Sequence, residues 1–148
     1  MTRELVVPPT VLQGTHDALR RLGEGRREAV VLWAGAWPPR AVTRMVIPEQ
    51  HQAFGRFSGT LSARGRLVLD LAAKSEALVA QVHTHPRRAF HSPLDDEEAL
   101  PRRVGSFSLV IPEFAAAADL LTGAALYRLE QGGRWTEVAL TSIRRSSP

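Results

Sequence analysis

The stretch ALVAQVHTHP, residues 77–86, sets the terms on which the rest of the chain is read. Its first six residues are apolar except for Gln81, the length and composition of a buried strand. The run then ends on His83, Thr84, His85 and Pro86. Residues two apart on a strand point to the same face, so both imidazoles can be aimed at one point. Six residues further on, SPLDDEE (residues 92–98) reads as a helix start, with Ser92 as cap and Pro93 at the first helical position. Two neutral imidazoles and one carboxylate, with a fourth position left to water, make the donor set of a catalytic zinc. A zinc so held lowers the pKa of its water to about 7. The competing reading is a polar loop that runs into a capped acidic helix, which accounts for Ser92 and Asp95 without chemistry.

Composition narrows the choice. The 148 residues fit one domain, 44% hydrophobic and 23% charged. With no cysteine, thiolate zinc sites, iron–sulfur clusters, disulfides and cysteine nucleophiles are excluded, and any metal must be held by His, Asp, Glu or water. No apolar run approaches the roughly 20 residues of a membrane span. The start, MTRELVVPP, is too short and too charged for a secretory signal, so a cytoplasmic protein with no membrane partner is expected. Net charge is +4, carried almost wholly by arginine, with Lys74 the single lysine. The arginines are scattered as pairs such as Arg20–Arg21 and Arg102–Arg103, without interleaved aromatics or a reading motif. A solvated surface is the reading taken, and no nucleic-acid partner is expected.

Around the His strand the chain alternates. Residues 10–22 carry Val11, Leu12, Ala18, Leu19 and Leu22 at helical spacing, with Gly23 as a C-cap. EAVVLWAG (28–35) and AVTRMVIP (41–48) read as paired strands. Ser62 opens a second helix with Leu67, Leu71 and Leu78 on one side. FSLVIP (107–112) is a further strand, and ALYRLE and RWTEVAL flank Gln131-Gly132-Gly133 as a hairpin. This pattern predicts an α+β domain, a mixed central sheet flanked by helices, over residues 1–143. Residues 144–148 are expected to form a disordered tail.

Three elements together resemble the JAMM metallopeptidases, the MPN-plus or JAB domain. The family carries His-[Ser/Thr]-His-Pro, a short loop, Ser-x-x-Asp, and a glutamate heading an earlier strand; here these are His83 to Pro86, Ser92 to Asp95, and Glu28 at the head of EAVVLWAG. The resemblance spans almost the whole chain and implies an α/β/α-layered domain of the bacterial single-domain type. It implies zinc on His83, His85 and Asp95, Glu28 as the base that takes a proton from the attacking water, and Ser92 as an oxyanion donor as well as a helix cap. It further implies a peptidase or isopeptidase acting beside the C-terminal tail of a ubiquitin-like or sulfur-carrier-like protein. A functional link to an activating (E1-like) enzyme, in sulfur transfer or antiphage defence, goes with that.

One departure matters. The family loop holds six residues between proline and serine, and RRAFH supplies five. A spacing rule from the second histidine then gives Asp96, while Ser-x-x-Asp gives Asp95. The helix start fixes a side chain's direction and a loop absorbs a deletion, so Asp95 is the assignment. Glu24 is a rival base, but its Gly-Glu-Gly setting reads as a turn. His91 reads as a solvated loop residue, His16 and His51 as structural or exposed, Trp33 as core, and Trp37 as a turn residue rather than a groove wall. Glu97 and Glu98 suit a helix N-terminus on dipole grounds. Two other functions fit the fold: a non-catalytic MPN-type binding module, against which the intact residue set argues, and a different metal-dependent hydrolase such as a phosphoesterase, which normally needs ligands for two metals.

Overall fold

Strands β2 (Val30–Ala36) and β4 (Ala77–Thr84) form the centre of a mixed eight-stranded sheet. A computed structural model describes residues 4–38, 40–48, 61–90 and 103–146. The other strands are β1 (Leu5–Val7), β3 (Ala41–Val46), β5 (Phe107–Ile111), β6 (Ala125–Leu129), β7 (Trp135–Val138) and β8 (Ile143–Arg145). Their order is β7-β6-β5-β4-β2-β3-β1-β8. The pairs β4–β5, β1–β3 and β1–β8 are parallel and the remainder antiparallel. This is the mixed sheet that the sequence predicts, with β2 and β3 paired as expected and the hairpin β6–β7 turning at Gln131-Gly132-Gly133. No helix among the described residues is long and apolar enough to cross a membrane.

The sheet has a helix on each face. Alternation puts Val31 and Trp33 of β2 on one face with Val82 and Ala80 of β4, all fully buried. Helix α1 (Pro9–Gly23) covers that face with Val11, Leu12, Ala18 and Leu19. Trp33, buried as expected, donates its indole N–H to Thr15 Oγ1 of α1 at 2.8 Å, so its polar end is satisfied inside the core. Helix α2 (Leu61–Ala73) serves the other face, where Arg44 of β3 bonds Asp70 of α2 at 2.7 Å and Glu76 at 2.8 Å. Lys74 and Arg44, hydrogen-bonded to the Asp70 carboxyl, hold it below the usual carboxylate range.

Gly35 shows why β2 and β3 can pair at all. A β-bulge falls between Ala34 and Gly35, and a Cβ at Gly35 would stand 2.0 Å from the carbonyl oxygen of Ala41. No rotamer relieves a clash between a Cβ and a backbone carbonyl. Gly35→Ala is therefore expected to cost about 3 kcal/mol or more, the upper end for an overpacked core. A urea melt checks it: an unchanged midpoint would mean that the bulge re-forms around the methyl.

Three readings need correction. Leu78 lies in β4 and not on α2, because the helix stops at Ala73 and Ser75 takes a left-handed φ of 53°. The region from Arg144, expected as tail, enters β8, where Arg144 and Arg145 pair with Val6 and Val7 of β1. Helix α1 ends on Gly23, but it is Glu24 that takes the left-handed cap position, with φ 52°.

Candidate functional site

The end of β4 brings two of the predicted site residues, His83 and His85, together. Val30, the first residue of β2, pairs with His83, and Glu28 lies two residues before it. By alternation His83 and His85 lie on the side of the sheet that also carries Gln81 and Ser108, which are hydrogen-bonded to each other at 3.0 Å. The imidazole rings of His83 and His85 are 5.2 Å apart between centroids. His83 is 5% exposed and His85 6%, and both ring nitrogens of His83 are shielded from solvent.

Local backbone explains this placement. β4 runs on beyond Thr84 alongside β5, because the His85 N–H donates to Ile111 O at 2.8 Å and Phe114 N–H donates to His85 O at 2.9 Å. His85 is thus held on a paired segment. The half-exposed ring of Phe90 packs edge-on against it at 4.7 Å. On the β2 side, the Thr84 N–H donates to Ala29 O at 3.0 Å, and the Ala29 N–H donates to the Thr84 hydroxyl at 2.9 Å. Thr84 had no role in the sequence reading; its hydroxyl takes part in the junction between the two strands.

Ser92, Asp95, Asp96 and His91 lie outside the described residues. Among the described residues no group of three metal-capable side chains converges to hold an ion. The donor chemistry nonetheless suits a borderline metal: two adjacent buried imidazoles at a strand end, with the Glu28 carboxylate two residues before the neighbouring strand.

The residues set aside earlier are elsewhere. His16 is buried, and its Nε2 lies 3.0 Å from Ala115 O, tying α1 to the turn after β5. Glu24 pairs with Arg26 at 3.2 Å and Arg27 at 3.8 Å in the exposed turn after α1. Trp37 follows β2 at its opposite end, with the Arg103 guanidinium 4.4 Å over its ring. It does not line this site.

Comparison with known proteins follows the same line. No family model matches the chain. A probable metalloprotease of Sinorhizobium fredii is 30% identical over 151 residues, covering 97% of this chain and 92% of its own. A protein of Desulfitobacterium hafniense with a solution structure superposes with a TM-score of 0.72 at 16% identity, over 97% of this chain and 94% of that one. A JAB1/MPN domain protein from Archaeoglobus fulgidus superposes with a TM-score of 0.55 at 13% identity, over 95% and 98%. At such identities the two structures speak for the fold.

Proposed function

Because this chain belongs to the JAMM metallopeptidase family, the MPN-plus or JAB domain, we propose that it is a zinc-dependent peptidase or isopeptidase. Metal-dependent peptidase chemistry is what the family and the Sinorhizobium fredii relative share. The observation that carries the reading is the buried pair His83 and His85 at the end of β4, with ring centroids 5.2 Å apart, beside β2, whose first residue Val30 pairs with His83 and which Glu28 precedes by two residues. His83, His85 and Asp95 would hold the zinc, whose part is to polarise the scissile carbonyl and bring water near neutral pKa.

The rest belongs to the chain's own groups. Glu28 takes the proton of the attacking water and returns it to the leaving amine, which requires hydrogen-bond reach to both. Ser92 donates toward the oxygen on which negative charge develops. The substrate proposed is the C-terminal tail of a ubiquitin-like or sulfur-carrier-like protein, an extended segment that can add to a sheet edge and present its carbonyl. An activating enzyme for that protein is the functional neighbour the proposal implies.

Elemental analysis of protein purified without chelator is the first test, with about one zinc per chain expected. Absence of zinc together with no hydrolysis after zinc is added overturns the enzyme reading. The substrate class is read separately, by offering a ubiquitin-like protein fused through its glycine-ended tail to a reporter. Release of the reporter at the tail supports it, and cleavage only elsewhere removes it.

A further inference from the structure

We propose that Thr84 is a positioning residue whose hydroxyl sets Glu28 against the histidine pair. The inference rests on the reading of Glu28 as the base and deepens it. Residues 29 and 84 lie one step beyond the Val30–His83 pair of the β2–β4 ladder, where an antiparallel hydrogen-bonded pair would exchange two backbone bonds. Here one of the two is a backbone bond, from Thr84 N–H to Ala29 O. The returning bond runs from the Ala29 N–H to Thr84 Oγ1 at 2.9 Å. β2 proper begins one residue later, at Val30, while His85 is held to β5 through its bond to Ile111 O.

Its location gives the hydroxyl its role. Ala29 is fully buried and Thr84 1% exposed, so water cannot substitute for the bond. Ala29 is the residue next to Glu28, and Thr84 is the residue between His83 and His85. One hydrogen bond therefore joins the residue beside Glu28 to the residue between the two histidines. The side chain points away from the site, to the face of α1, so it touches neither substrate nor metal; its effect passes through Glu28. Serine retains the oxygen. Valine retains the shape and loses it.

The test compares Thr84→Val and Thr84→Ser in the zinc-loaded protein. A displacement of a catalytic group by about 1 Å costs on the order of 100-fold in rate, so kcat of Thr84→Val is expected to fall about 100-fold with KM within about twofold. Zinc content stays at the wild-type value. Thr84→Ser is expected to restore kcat to within about threefold. In a Glu28→Gln background, Thr84→Val should lower the residual rate no further, because the group it positions is already disabled. Retention of kcat in Thr84→Val, failure of serine to restore it, loss of zinc, or a full further loss in the Glu28→Gln background each overturns the proposal. Hydrogen exchange gives a readout independent of turnover: the Ala29 amide is expected to exchange at least about 100-fold faster in Thr84→Val, while amides in the middle of β2 keep their protection. Equal protection of Ala29 in both proteins overturns the proposal even where no peptide is cleaved. If Thr84→Val does not fold, protection of the Ala29 amide in Thr84→Ser at the wild-type level, with wild-type kcat, upholds the oxygen as the requirement. Its loss there overturns it.

Discussion

Glu28→Gln is expected to leave the fold and the zinc in place and to lower turnover by about 10²–10⁴-fold, the range for removing a positioned general base. The amide matches the carboxylate in size, so the chain entering β2 keeps its path and the Ala29–Thr84 bond stays intact. What is lost is the capacity to accept a proton and give it back. Glu28 is suited to that task by position: it is half-buried and adjoins Ala29, whose N–H is bonded to Thr84 between the two histidines. Glu24, four residues earlier, already shares its charge between Arg26 and Arg27 in an exposed turn. Glu24→Gln is therefore expected to change turnover by less than about twofold, as an exposed pair contributes little. Zinc by elemental analysis and kcat on one substrate, measured for both variants, separate the two residues. Wild-type turnover in Glu28→Gln would remove it as the base.

The same comparison shows what was legible in the sequence. β2 and β4 could be read because each is a short, continuous apolar run that must be buried on both faces. The histidine pair followed from strand alternation alone, since His83 and His85 need only share a face. By contrast β1 and β8 are three residues each, and Leu5–Val7 and Ile143–Arg145 acquire meaning through long-range pairing, β1 with β3 and β8 with β1 across the length of the chain. Nothing local marks them. Leu78 misled for a different reason: the leucines at 67, 71 and 78 continue one helical face, but the left-handed turn at Ser75 stops the helix and restarts the chain as β4. The Thr84 clip was illegible because a hydroxyl-to-backbone bond depends on register, and register is settled by the sheet as a whole.

Asp95→Ala is expected to lose zinc and turnover together, whereas Asp96→Ala should keep both. The two aspartates are separated by the sequence argument. If Ser92 caps a helix, as the sequence predicts, Asp95 three residues on would look back toward the cap, and Asp96 would be rotated about 100° further around the axis. One ion cannot draw on both from a regular first turn. A ligand that contributes one of three protein donors is indispensable to a site whose fourth position is open, so Asp95→Ala should leave less than about a tenth of the zinc after gel filtration in metal-free buffer. Asp96→Ala removes only a charge near a helix N-terminus, a loss of roughly 0.3–1 kcal/mol in stability with no change in metal content. The five-residue loop Arg87–His91 is the source of the question, since a loop of six would make both spacing rules agree on one aspartate. Insertion of one glycine into that loop should therefore leave the zinc on Asp95, because the helix start carries the ligand with it. Zinc content in the two single variants decides the assignment: loss in Asp96→Ala with retention in Asp95→Ala moves the ligand by one residue and, with it, requires a first turn that does not start at Ser92.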